Sequence, residues 1–317
     1  MTVLGIWLPF RAGGSLGPPE ELPLGRAALA LEQIGVAVVI GRPENGGFVG
    51  VRAEPGRWIS TDETAVDGVY DRFPSQSRPD EFARGLQMLG QTLVVNPPAL
   101  TALCRDKLRC QRALEVCGVG MPPVEGDLER FEYAVSTWGA AFLKPREGSF
   151  GHGVRRVRSG ESLPSSGSWV LQRAIEPPDG WAGVSVRVLC QQSIDGEVVV
   201  RSGVARRSRL DPVVNAARGA DLAPCVDVLL PNTVEALHEL CVHTMAALMS
   251  QADGEHLVEA GLDAVIDREG RPWLIEVNSR PRGRLRELAK ARPARFLRAH
   301  ALVCASPLHT LASWVSN

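Results

Sequence analysis

Gly261-Leu-Asp-Ala-Val-Ile-Asp-Arg-Glu-Gly-Arg-Pro-Trp-Leu-Ile-Glu-Val-Asn-Ser-Arg-Pro281 is the stretch that decides the fold. Residues 257–266 and 271–277 are strand-like, and Asp267-Arg-Glu-Gly270 between them is a turn. A period of two puts Glu276 and Asn278 on one face of the second strand and Ile275 and Val277 on the other. The hairpin then lays Asp263 beside Glu276. Two carboxylates and an amide oxygen on adjacent strands are hard oxygen donors, the kind Mg²⁺ takes when it is bound to substrate phosphates. Two carboxylates aimed at one point repel, and a cation resolves that conflict. A solvent-facing polar strand is the plainer alternative, but Leu274, Ile275 and Val277 point to a buried sheet.

Upstream, Glu147-Gly-Ser-Phe-Gly-His-Gly153 is rich in glycine, which lets backbone N–H groups curl around phosphate oxygens. No GxxxxGK[ST] occurs, and Arg156 stands where a dinucleotide fingerprint needs its third glycine. Val154-Arg-Arg-Val-Arg158 alternates like a strand, so the loop joins two antiparallel strands. Alone it reads either as a plain turn or as a flap over phosphates. Lys144, at the end of the strand 140–144, favours the flap. The chain has only three lysines (Lys107, Lys144, Lys290) against 32 arginines, and ammonium and guanidinium are not interchangeable at a site. His152 is either an exposed turn residue or a phosphate contact.

Further outward, strand-like runs at 3–8, 36–40, 68–72 and 92–95 alternate with helical ones at 24–34 and from Asp80. This is the βαβ rhythm of a small parallel sheet. Asn96-Pro-Pro98 breaks it. One helix is expected over 99–117 and another after Met121-Pro-Pro123. Strand then follows strand at 140–144, 154–158, 169–174, 184–191 and 197–203, with Asp195-Gly196 as a hairpin signal. Residues 204–224 read as irregular, 233–249 as a helix, and the tail as basic and helical. The domains expected are 1–97, 98–173 and 174–317. In the tail, Arg280, Arg282, Arg284, Arg286, Lys290, Arg292, Arg295 and Arg298 face one acid, Glu287. They form either a solvated helix face or an anion site.

At 44% hydrophobic, 22% charged and a net charge of −1, the chain reads as globular, with no general nucleic-acid or membrane-surface binding expected. No apolar run reaches the roughly 18–20 residues that span a bilayer. No signal peptide is read at the start, and seven cysteines without a CxxC pair suit a reducing, cytoplasmic setting.

Lys107, Lys144 before its glycine hairpin, Trp169-Val-Leu-Gln-Arg-Ala-Ile175, and Asp263 with Glu276-Val-Asn278 together resemble the ATP-grasp superfamily, across residues 97–284. Val69-Tyr-Asp-Arg72 and the long phrase 261–281 more closely resemble the endospore-coat-associated YheC/YheD-like group. Glutathione synthetases and ribosomal-protein glutamate ligases are similar at greater distance. The resemblance implies an N-terminal βαβ domain and two α+β subdomains clasping ATP. It implies that Lys107 and Lys144 contact phosphates and that Gly148, Ser149, Phe150, Gly151, His152 and Gly153 close over them. Gln172, Arg173 and Ile175 would read adenine, and Asp263, Glu276 and Asn278 would hold Mg²⁺ or Mn²⁺. Arg187, Arg206 and Asn215 would serve the transferring phosphoryl and the acceptor.

Two positions depart from the pattern. Ser185 replaces the aspartate of an Asp-x-Arg element, leaving Asp179 or Glu176 as a ribose-side substitute, and Arg282 stands where glycine is usual. The implied activity joins a carboxylate to an amine through an acylphosphate, releasing ADP and phosphate. A kinase, or a nucleotide-binding coat protein without turnover, is the alternative. The expected partners are a small-molecule or peptide carboxylate and an amine, with a homo-oligomer left open.

Overall fold

The computed structural model describes residues 1–9, 17–148, 151–214, 219–252, 256–281 and 285–316, without the side chains of Ser202 and Glu287. The first sheet contains β1 (Thr2–Trp7), β2 (Val36–Glu44), β3 (Gly47–Glu54), β4 (Arg57–Thr64), β5 (Gly68–Asp71) and β6 (Leu93–Val95), in the order β4-β3-β2-β1-β5-β6. β1 runs parallel to β2 and β5, and β5 parallel to β6, as the βαβ rhythm predicts. The sheet is wider than predicted, because β3 and β4 extend it as an antiparallel meander. Asn45 (φ 49°) and Gly46 (φ 90°) make the two-residue left-handed turn that starts this extension. Helix α1 (Pro23–Glu32) buries Ala27, Ala28 and Leu31 on one face of the sheet. Across the other face, Phe82 of α2 (Pro79–Leu89) stacks on Trp7 with centroids 5.0 Å apart.

The helix expected over 99–117 is two helices, α3 (Pro98–Arg105) and α4 (Lys107–Val116). Asp106 separates them with extended backbone, and its carboxylate accepts from Arg109 N at 3.1 Å as an N-cap. The second sheet is antiparallel in the order β7-β10-β8-β9, from β7 (Val124–Glu125), β8 (Ala140–Pro145), β9 (Arg155–Arg158) and β10 (Trp169–Arg173). Helix α5 (Phe131–Trp138) covers it through Phe131 and Val135 against Leu143, Val157 and Leu171.

The third sheet is antiparallel in the order β13-β12-β11-β14-β15. Its strands are β11 (Gly183–Gln192), β12 (Val198–Ser208), β13 (Asp221–Pro224), β14 (Glu259–Ile266) and β15 (Pro272–Asn278). The region read as irregular is therefore partly ordered, since β12 continues to Ser208 and β13 pairs with it. Short α6 (Cys225–Val228) leads into α7 (Pro231–Ser250), which buries Leu237, Cys241, Met245 and Leu248. Leu100 and Cys104 of α3 and Cys110 and Leu114 of α4 enter the same core. After α8 (Arg286–Ala291), α9 (Pro293–Ser316) returns to the first sheet and buries Leu308 and Leu311 beside Leu4, Ile6 and Leu31.

The first and third sheets are clamped by buried polar groups. Glu259, fully buried on β14, accepts from Tyr70 Oη at 2.6 Å, Arg72 Nη1 at 2.8 Å and Gln191 Nε2 at 3.1 Å. Arg72 Nη2 donates to Pro281 O at 2.7 Å. Asn96 donates to the carbonyls of Glu259 and Ser279 and accepts from Val258 N. Arg280 pairs with buried Asp71 and donates to Phe73 O at 3.0 Å and Ser75 Oγ at 2.7 Å. The phrases 69–72 and 261–281, far apart in sequence, are thus two halves of one joint.

Candidate active site

A cavity of about 470 Å³ lies between the second and third sheets, and residues 73–77, just after β5, also line it. Strand pairing builds its floor. Register sets Asp263 opposite Glu276 on β15 and opposite Arg187 on β11, while Arg206 faces Ser185 from β12. Alternation along β11 points Ser185 and Arg187 the same way. The cavity is lined by Lys107, Lys144, Gly148, Gly151, His152, Gln172, Arg173, Ile175, Arg187, Arg206, Asp263, Glu276 and Asn278.

The remaining candidates fall elsewhere. Gly153 (φ 71°) lies outside the lining and turns against Pro145. Asp179 is exposed and pairs with Arg268 at 3.2 Å, and Glu176 pairs with Arg156 at 2.5 Å. Neither carboxylate lines the cavity, although Arg156, the partner of Glu176, does. Ser149, Phe150, Asn215 and Arg282 lie outside the described residues.

Lys144 is buried, and its Nζ donates to Gln172 Oε1 at 2.6 Å. Gln172 Nε2 donates in turn to Gln111 Oε1 at 2.8 Å, so a row of amides fixes the ammonium. Burial lowers the Lys144 pKa to about 8, against the nearby charge of Glu276. Lys107 Nζ donates to Gly148 O at 2.9 Å, at the base of the glycine hairpin. Neighbouring pairs fasten that base: Asp106 takes a two-pronged contact from Arg146 at 2.8 and 2.7 Å, and Arg105 meets Glu147 at 2.6 Å.

The carboxylates differ. Burial works against the charge of Asp263, but Arg187, then Arg206 and Asn278, outweigh it and hold its pKa below the usual range. Burial and then the charge of Asp263 push Glu276 up. Like charge in a buried place is the strain a divalent cation would relieve, and the donor set of Asp263, Glu276 and Asn278 suits Mg²⁺. Among the described residues no cluster of three or more His, Cys, Asp or Glu side chains could hold a metal ion. Two carboxylates and an amide would supply only part of a Mg²⁺ shell, the rest falling to substrate oxygens and water.

Sequence reasoning missed several groups. Thr101 lines the cavity, as does Ser185, which the sequence marked only as a departure, and both hydroxyls are buried without a hydrogen-bond partner among the described residues. Residues 73–77 and Arg280 also line it, signalled only by the phrase 69–72. The basic tail is divided: Arg280 points inward, Arg292 and Arg295 pair with Asp227, and Lys290 is exposed.

Two antiparallel sheets facing each other across one cavity, beside a sheet with a parallel centre, form the ATP-grasp fold. Residues 166–300 match the family described as YheC/D like ATP-grasp. No curated protein sequence matches the chain. Solved structures share the fold. D-cycloserine synthetase DcsG aligns with a TM-score of 0.64 at 18% identity, over 99% of each chain. The VanG D-Ala:D-Ser ligase from Enterococcus faecalis aligns at 0.63 and 14%, again over 99% of each. The biotin carboxylase domain of Hydrogenobacter thermophilus 2-oxoglutarate carboxylase, in complex with MgADP, ADP and bicarbonate, aligns at 0.58 and 15%, over 96% of this chain and 69% of that one.

Proposed function

We propose that the chain is an ATP-dependent carboxylate–amine ligase, forming an amide through an acylphosphate with release of ADP and phosphate. The observation that carries this is the cavity itself, which gathers two lysines, a glycine hairpin and a two-carboxylate, one-amide set in one cleft. Similarity in fold to D-cycloserine synthetase and a D-Ala:D-Ser ligase supports the reaction class. A structure of the same fold with MgADP supports the cofactors.

In this reading Lys107 and Lys144 neutralise the nucleotide phosphates, and the segment 172–175 meets the base. Asp263, Glu276 and Asn278 hold Mg²⁺, which would offset the charge of the transferring phosphoryl. Arg187 and Arg206 lie beside that set, where a substrate carboxylate attacks the terminal phosphate. The resulting acylphosphate must be kept from water until the amine arrives. The glycine hairpin, hinged on Gly148 and Gly151, closes the cavity for that purpose. A cytoplasmic setting suits seven cysteines that include no bonded pair. No helix among the described residues is long and apolar enough to cross a membrane.

Incubation with ATP, Mg²⁺ and panels of acids and amines tests the reading. ADP release that needs both an acid and an amine is expected. Release of AMP and pyrophosphate would overturn it, and a stable phosphorylated product without amine dependence would replace it with a kinase.

A further inference from the structure

Both carboxylate oxygens of Asp263 are already engaged by cations that belong to the chain. Arg187 Nε donates to Oδ1 at 2.8 Å, and Arg187 Nη2 donates to Oδ2. Arg206 Nη1 lies 3.5 Å from Oδ1, and Asn278 Nδ2 donates to Oδ2 at 3.0 Å. Asp263 is 5% exposed, so water cannot readily take the place of these donors. A planar guanidinium fork on a carboxylate is a strong, directional pair. It uses the same lone pairs that a divalent cation would use.

We infer that Arg187 is a built-in competitor of the divalent cation at Asp263, and that nucleotide phosphates release it, so that metal and nucleotide load as a coupled pair. This deepens the ligase reading above and rests on it. Moving Arg187 off Asp263 without a new partner would leave a half-buried guanidinium unpaired, which opposes binding of the cation alone. A phosphate in the cavity offers the fork an equivalent anionic partner. The cation then takes over Asp263 and Glu276 while the guanidinium turns to the phosphate, and the charge of every group stays matched. Coupling of this kind is reciprocal, so the nucleotide binds better with the cation and the cation better with the nucleotide.

Manganese binding followed by electron paramagnetic resonance, with and without ADP, tests the inference apart from turnover. In the wild-type protein Mn²⁺ alone is expected to bind weakly and Mn²⁺ with ADP strongly. In Arg187→Met, Mn²⁺ alone should bind about tenfold tighter or more, and the gain from ADP should shrink by a similar factor. A second arm uses Asp263→Asn, which loosens the pairing from the other side. Its affinity for ATP in EDTA should rise about tenfold over wild type, because Arg187 is already released. Unchanged or weaker Mn²⁺ binding in a folded Arg187→Met protein, or unchanged ATP binding in Asp263→Asn, overturns the inference and leaves the ligase reading standing. Absence of any Mn²⁺–nucleotide binding by the wild-type protein removes both.

Discussion

The two jaws of the cleft are built to different standards. Asp263 and Glu276 sit on paired strands of a five-stranded sheet, Glu276 on its edge strand β15, and β14 is clamped to the first sheet through Glu259, Arg72 and Asn96. The base of the glycine hairpin is held by one exposed pair, Arg105–Glu147 with side chains 42% and 50% exposed, beside the less exposed Arg146–Asp106 pair. Under the proposed function, the metal ligands would have to keep their mutual geometry through a reaction, whereas a flap would have to open for each substrate. Buried pairs suit the first task. Exposed pairs, worth about 0–1 kcal/mol, suit the second.

Four measurements press on that contrast. The largest effect is expected from Arg72→Ala, which strands Glu259 in the buried joint. Loss of one partner of a buried pair costs about 3–5 kcal/mol, read from urea denaturation. A loss near that of a surface pair would show that the joint is not rigid. Next comes Glu276→Ala. Acid- and amine-dependent ADP release should fall by more than about 10²-fold, since even outer-shell partners of metal ligands are worth 10–100-fold.

Lys144 gives a smaller effect with a definite sign. Bound phosphate needs the charged ammonium, which the free protein sheds near pH 8. MgATP affinity measured by calorimetry should be flat below about pH 7 and fall above pH 8, approaching tenfold per unit. Without nucleotide the same group acts oppositely. Above about pH 8 the unfolded chain still binds the proton that the native lysine has lost, so this contribution to stability rises with pH. Lys144→Arg should weaken MgATP binding about tenfold, because a wide planar head does not fit the place of a compact buried ammonium. Lys290→Arg should leave it unchanged. Smallest of all is Glu147→Ala at the base of the glycine hairpin, expected within about 1 kcal/mol in stability. Its trace should appear as an altered rate of nucleotide release.

What the sequence made legible was the part governed by local periodicity. Alternation brought Glu276 and Asn278 to one face with Asp263 opposite, but it misplaced Ile275: a register shift between Asp263 and Ala264 leaves Ile275 lining the cavity, outside the core that takes Leu274 and Val277. The βαβ core and the Asp195–Gly196 hairpin were likewise readable from local pattern. Asn45-Gly46 carried a usable hairpin signal for β3. Asp106 carried a cap signal, hidden inside a run that is apolar on both sides. Other features have no local signature. β13 exists because β12 extends far enough to receive it, and Arg187 meets Asp263 only through a ladder between distant strands. Asp179 and Glu176 were plausible by position, yet each found an arginine at the surface instead.

The docking of α9 has a consequence for synthesis. Leu4, Ile6 and Leu31 present an apolar face that Leu308 and Leu311 cover, so one hydrophobic cluster joins segments about 300 residues apart. A ribosome adding about 5–20 residues per second needs on the order of 10–40 s to pass from β6 to the start of α9. Through that interval the nascent first sheet carries an apolar face that α9 has yet to cover.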